Sequence, residues 1–277
     1  MIDTWHFLEH PAFRVFDAAV RERLASFEHF PAPSELAGLS QGIARAEMPW
    51  FEFARQMQRS LHDLGGFDRV IAETGRIPTR EGSFHDLLGA LIWLHFPALK
   101  TAIHRAQLAC AHHTRSASEN AATHFDESGV LVLSCEPAVF ERLAGLRWRD
   151  VFWEGRSELG GTTRFIAFGH GLLDSLREAH PRLMGKALFA RVDAACLDLG
   201  APELRVFVDR ALASQLPQFL SEPARLQPLP VLGIPGWAPH PGPDFYDDTT
   251  YFRTARQRVR SNVEATWLDL CGQPVIF

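Results

Sequence analysis

Two histidines stand where the surrounding sequence has no evident need for an imidazole. His85 falls two residues after Ser83 at the start of an apolar stretch, and His170 follows Phe168-Gly169. Both positions read as the first turn of a helix, where the positive end of the backbone dipole disfavours imidazolium. A ring held neutral near pH 7 can take a proton or bind a metal. His170 and Asp174 are four residues apart and share a helical face, as paired ligands or an acid/base couple require. Asp126 and Glu127 add two carboxylates, and His124 would share a strand face with Asp126.

These residues define the candidate site. His85, Asp86, Asp126, Glu127 and His170 are the expected acid/base groups. His85, His170 and Asp174 are the expected ligands of a divalent metal. Each has a structural reading beside the chemical one. Ser83 suits an N-cap with Asp86 at the third helical position, a variant of the capping box. His170 and Asp174 can form a surface hydrogen bond. Asp126 can open a turn, and His124 can be simply solvated. His95 and His104, among apolar helical residues, read as core or boundary histidines, and His112-His113 as exposed. Asp247-Asp248 can supply hard oxygen ligands or ordinary turn chemistry. Trp50, Trp93, Trp148, Trp153 and Trp237, with the many phenylalanines, can line a pocket, but large aromatics fill a core first. No Walker A loop, dinucleotide glycine motif, H-E-x-x-H, G-x-S-x-G or cysteine-histidine zinc signature occurs, so the usual nucleotide, zincin and serine-hydrolase arguments have no support.

The elements that must position these groups follow from periodicity. Residues 1–45, with Pro31 and Pro33, read as a short helical arm, and residues 46–277 as the main globular domain. Phe51, Ala54, Met57, Leu61 and Leu64 predict a helix over 50–64, stopped by Gly65-Gly66. Phe84, Leu87, Leu88, Leu91, Ile92 and His95 predict a helix over 84–96 with Pro97 as its limit, and another follows over 98–111. Asp126-Glu127-Ser128-Gly129 ahead of Val130-Leu131-Val132-Leu133 predicts a β-hairpin, with Gly129 at positive φ. Further helices are expected over 136–153, from Gly169 to Pro181, and over 202–220, with a strand over 164–168. Pro228, Pro230, Pro235, Pro239, Pro241 and Pro243 impose an extended strap over 226–246, which either covers the core or borders a site; it is expected to lie against the main body and bury Trp237. The expected fold is therefore a single domain of mixed α/β (α+β) class, mostly helical, with a hairpin and a small sheet.

Composition bounds the rest. The 277 residues are 46% hydrophobic and 22% charged, ordinary for a globular chain able to fold alone. No run approaches the roughly 20 apolar residues of a membrane span, and the first ten residues lack the basic and apolar regions of a signal peptide. A cytoplasmic protein without membrane partners is expected. Cys110, Cys135, Cys196 and Cys271 form no C-x-x-C pair and read as reduced thiols. The net charge of −5 gives no global attraction to phosphate backbones, so nucleic acid is not an expected partner, although Arg253, Arg256, Arg258 and Arg260 form a local basic cluster.

One ordered series of motifs resembles a known family. It comprises Ile77-Pro78-Thr79-Arg80, Ser83-Phe84-His85-Asp86-Leu87, Trp93, Phe96-Pro97 with Lys100, and Asn120-Ala121-Ala122-Thr123. Phe125-Asp126-Glu127-Ser128-Gly129, Phe168-Gly169-His170, the run from Leu229 to Trp237, Asp244-Phe245-Tyr246-Asp247-Asp248 and Phe252-Arg253 complete it. Over residues 48–253 the chain resembles the uncharacterised bacterial family filed as domain of unknown function 3025. The resemblance implies a single domain of conserved length and no settled activity, cofactor or partner. The chain departs from the family pattern at Ala98-Leu99, where an Arg-Thr pair is expected before Lys100, and in a less basic loop over 112–118. An anion site built on Lys100 would be weaker for that reason.

Two functions fit these observations. One is an enzyme acting on a small molecule, using a His/carboxylate cluster for acid/base or metal-assisted hydrolysis or group transfer. The alternative is a non-catalytic ligand- or protein-binding domain whose His and Asp motifs cap and pin the fold. Convergence of the five side chains in space separates them.

Overall fold

The computed structural model describes residues 4–40, 43, 51–64, 66–108, 116–178, 180, 182–221, 223–239, 242–254 and 265–274. Trp50, Gly65, Cys110, His112, His113, Pro181, Pro241, Arg256, Arg258 and Arg260 lie outside the described residues, as does the end of the helix expected over 98–111.

Helices dominate, and two sheets carry the strands, as the expected α+β class requires. A parallel pair joins β1 (Glu52–Arg55) to β2 (Arg76–Thr79). The main sheet contains β3 (Gly129–Ser134), β4 (Thr163–Ala167), β5 (Met184–Arg191), β6 (Gln227–Pro230) and β7 (Trp267–Asp269). Its order is β4-β3-β5-β6, with β7 sharing the outer edge of β5. β3 runs antiparallel to β4 and parallel to β5. Every residue of β3 is buried, as expected for a strand covered on both faces. The N-terminal segment belongs to the same core, because Phe13, Phe16, Leu24 and Leu36 are each at most 1% exposed.

The helix over Phe84–His95 forms as its spacing predicts, with the Ser83 hydroxyl accepting the Asp86 N–H. A second helix, Pro97–Leu108, starts at the proline and is pinned by Asp209, whose carboxylate accepts the N–H groups of Ala98 and Leu99. This pair is bent by 114° and largely buried. Among the described residues no single helix is long and apolar enough to cross a membrane.

Several expectations are corrected. The segment containing Asp126 and Glu127 is no turn, because Ala117–Ser128 is a helix that runs directly into β3. Its signal is the capping box Ser116/Glu119, in which each side chain meets the other's backbone N–H,. His124 and Asp126 are therefore helical neighbours and not strand neighbours. The helix expected over 50–64 divides into β1 and a short helix, Gln58–Asp63, because pairing with β2 prevails over the weak periodicity of the segment. The helix over 136–153 stops at Ala144. Leu146 there adopts φ 58° before a π-helical turn over Asp150–Glu154. The long β5 and the short β7 were not anticipated at all.

The proline strap is extended only at β6 and coils into short helical turns at Val231–Gly233 and Pro243–Asp247, a correction to the extended path expected; Trp237 within it is buried, with its carbonyl 2.6 Å from His10 Nε2.

Gly129 has φ −66°, so it needs no left-handed conformation. It is required for a different reason: a Cβ there would lie 2.3 Å from the Phe125 carbonyl oxygen and 2.9 Å from its ring. Gly129→Val is thus expected to cost more than about 1 kcal/mol through forced backbone displacement. Chemical denaturation checks this, and an unchanged unfolding midpoint would refute it.

Candidate functional site

The antiparallel register of β3 and β4 builds the site. Val130 pairs with Ala167, so the residues just before β3 lie beside those just after β4. Asp126 and Glu127 end the helix that enters β3, and His170 begins the helix that leaves β4, His170–Arg177. The two chain segments touch through backbone. Phe168 and Gly169 both donate to the Gly129 carbonyl, at 3.0 and 2.9 Å. A Cβ at Gly169 would stand 2.4 Å from the Gly129 nitrogen, and one at Gly171 would stand 2.5 Å from Glu127 Oε2. Glycine at 169, where the neighbours are backbone atoms, is a requirement of close approach, whereas at 171 the nearest atom is the movable end of the Glu127 side chain,. The helix over Phe84–His95 packs along the His170–Arg177 helix and brings its first turn to the same place.

Three side chains converge there. The rings of His85 and His170 have centroids 4.5 Å apart. Glu127 Oε1 lies 3.5 Å from His170 Nε2 and 4.0 Å from His85 Nε2. One ligand atom from each residue falls within 4.8 Å of the other two. Ligands held at 2.0–2.2 Å around a tetrahedral ion sit about 3.3 Å apart, so small side-chain rotations close this set on a metal.

The outward nitrogen of His170 is oriented by a hydrogen bond. His170 Nδ1 lies 2.9 Å from the Asp126 carbonyl oxygen. Donation of Nδ1–H to that carbonyl fixes the tautomer and leaves the Nε2 lone pair facing Glu127. Burial lowers the pKa of His170, against the attraction of Asp126, which keeps the ring in the neutral form a ligand needs. His85 Nδ1 lies 4.0 Å from Asp174 Oδ2, and Arg177 Nε donates to the other oxygen of Asp174 at 3.1 Å. Asp174 thus stands behind His85 as an outer partner rather than within the three-residue group.

The remaining candidates have other roles. Asp86 turns to Arg80, accepting from its backbone N–H and from two guanidinium nitrogens at 2.6–3.0 Å. Burial would raise its pKa, but the bonds from Arg80 prevail and hold it below the usual carboxylate range. Asp126 directs its carboxylate at Lys100, with Nζ 2.5 Å from Oδ1. Burial opposes ionisation of Asp126, and the Lys100 ammonium, followed by His170, overcomes it and lowers its pKa. Lys100, read from sequence only through the resemblance, is itself buried and lies 5.1 Å from the centre of the Trp93 ring. His124 is exposed, whereas His95 is buried and bonded through both nitrogens. His104 Nδ1 faces Asp68 at 3.4 Å. Asp247 meets Arg149, and Asp248 bonds Thr250 in a turn.

Glu127 occupies the last turn of a 12-residue helix, where the backbone dipole disfavours a negative charge. Among the described residues no lysine or arginine reaches its carboxylate, which faces only the two imidazoles. The cluster opens onto a cleft of about 290 Å³ that continues past Gly89 and Ala90 to Trp93, Phe67 and Ile77.

Comparison with curated proteins and with solved structures returns no match. A family model described as "Protein of unknown function (DUF3025)" matches residues 51–256, a span that holds His85, Glu127, His170 and the elements that carry them. The chain belongs to this family.

Proposed function

We propose that the protein is a metal-dependent enzyme that hydrolyses, or transfers a group from, a small molecule bound in the 290 Å³ cleft. The observation that carries this reading is the meeting of His85, Glu127 and His170 from three separate helices around one Glu127 oxygen. Two imidazoles and one carboxylate suit a first-row divalent ion, and three protein ligands leave a coordination position for water or substrate. A bound ion there supplies Lewis-acid activation of water near neutral pH. The protein's own groups do the rest. The Asp126 carbonyl orients the His170 ring, Asp174 stands 4.0 Å behind His85, and the apolar wall of Phe67, Ile77, Pro78 and Trp93 holds the substrate body away from bulk water.

Protein purified from metal-supplemented medium is expected to carry about one equivalent of divalent metal by elemental analysis. Turnover of a panel of chromogenic esters, amides and phosphates should vanish on chelation and return with the ion. Metal-free wild-type protein would overturn the metal centre. Turnover that persists without metal would instead assign the cluster to acid/base catalysis.

A further inference from the structure

A second, larger cavity lies elsewhere among the described residues. It encloses about 560 Å³, within the range of small-ligand sites,. Arg182, Met184 and Lys186 form one wall, at alternate positions leading into β5. Thr250, Tyr251, Arg253 and Thr254 form the other, and Leu146 and Trp148 close it.

Three features set this cavity apart. Its ionisable lining, apart from the Tyr251 hydroxyl, consists of three cations, Arg182, Lys186 and Arg253, without one carboxylate, in a chain of net charge −5. Among the described residues Lys186 and Arg253 make no side-chain ion pair, and Arg182 has only Asp248, at 3.9 Å. Only Arg182 has a counter-charge, so Lys186 and Arg253 add unbalanced positive charge to the cavity, and an anion relieves that cost,. The walls are also built in advance. The Tyr251 hydroxyl donates to the Leu183 carbonyl at 2.6 Å and accepts from the Leu232 N–H at 3.0 Å. Trp148 Nε1 donates to the Arg253 carbonyl at 2.8 Å. These bonds fix the Arg253 segment against the start of β5. Finally, the lining between the cations is apolar. Met184 is a large hydrophobic left 38% exposed, beside Leu146 and Pro228.

From this combination we infer that the cavity between β5 and residues 250–254 binds a small amphipathic anion, its carboxylate, sulfonate or phosphate group held by Lys186, Arg253 and Arg182 and its apolar body laid on Met184, Leu146 and Trp148. The site uses none of the residues of the His85 cluster and stands whether or not that cluster binds metal. It also gives Arg253, part of the basic cluster in the sequence, a small-molecule partner in place of nucleic acid.

The probe is 8-anilinonaphthalene-1-sulfonate, with its uncharged analogue N-phenyl-1-naphthylamine as control, both followed by fluorescence on the full chain. Wild-type protein is expected to bind the sulfonate saturably, more weakly as salt rises, and in clear preference to the neutral analogue. Lys186→Gln with Arg253→Gln should weaken sulfonate binding about tenfold, as loss of two charge-assisted contacts implies, and leave the analogue unchanged. Thermal unfolding of the double variant establishes that it is folded. Equal binding of the two probes by wild type, or sulfonate binding unchanged in a folded double variant, would overturn the assignment. The wild-type comparison stands alone should the variant fail to fold.

Discussion

Lys100→Met is expected to destabilise the protein by about 3–5 kcal/mol, the usual effect of removing one partner from a buried ion pair. The Lys100 and Asp126 side chains are 6% and 13% exposed. Without the ammonium, the Asp126 carboxylate would remain in the interior with no lysine or arginine partner among the described residues. The carboxylate would have to take up a proton or draw in water, and either response moves the helix end that carries Glu127. Asp126→Asn should cost less than Lys100→Met, because the ammonium keeps the Trp93 face and an amide oxygen. Combining Lys100→Met with Asp126→Asn should recover part of the loss, since neither position then holds an isolated charge. Denaturant unfolding of wild type, the two single variants and the double variant measures the coupling. A Lys100→Met loss below about 1 kcal/mol would show that the pair is not the anchor described.

His170→Ala is expected to weaken metal binding by more than about 100-fold, beyond the 10–100-fold typical of losing an outer partner. Glu127→Gln should act comparably, because its Oε1 is common to both imidazole contacts. Asp174→Asn should fall in the lower range, since it stands behind His85 at 4.0 Å. His124→Ala, an exposed position on the helix that carries Glu127, should bind as wild type does. Titration of chelator-treated protein with zinc, followed by calorimetry, ranks the four. The assignment fails if Asp174→Asn is as damaging as His170→Ala, or if His124→Ala is damaging at all. Thermal unfolding of the metal-free forms keeps lost ligation apart from lost structure.

The sequence made parts of this site readable. The spacing from Phe84 to His95 and the Ser83 cap placed His85 in the first turn of a helix, and Gly169 did the same for His170. The absence of a structural need for either imidazole pointed to their meeting, and their rings do meet. Local patterns could not show what joins them. That is the β3/β4 register, a pairing of residues more than thirty positions apart at the site end, which depends on tertiary contacts rather than propensity. Asp126-Glu127-Ser128-Gly129 has turn composition, and the capping box ten residues upstream outweighed it. Reading that tetrapeptide as a hairpin tip hid the helix end that turns Glu127 toward the histidines. The burial of Lys100 was hidden for a related reason. A lysine on an amphipathic helix is ordinarily solvated, and its burial follows from the packing of that helix on the one carrying Asp126.

The shared Gly129 carbonyl, which accepts from both Phe168 and Gly169, has a consequence for how the protein folds. The cluster of His85, Glu127 and His170 cannot assemble by local collapse, because its members reach one another only after two strands distant in sequence have paired, and such closure is slow relative to helix formation. A helical intermediate would present His85, Glu127 and His170 as scattered side chains. Metal affinity would then appear with the sheet, so that an ion binding the native state alone would draw the last step of folding forward in proportion to its free concentration.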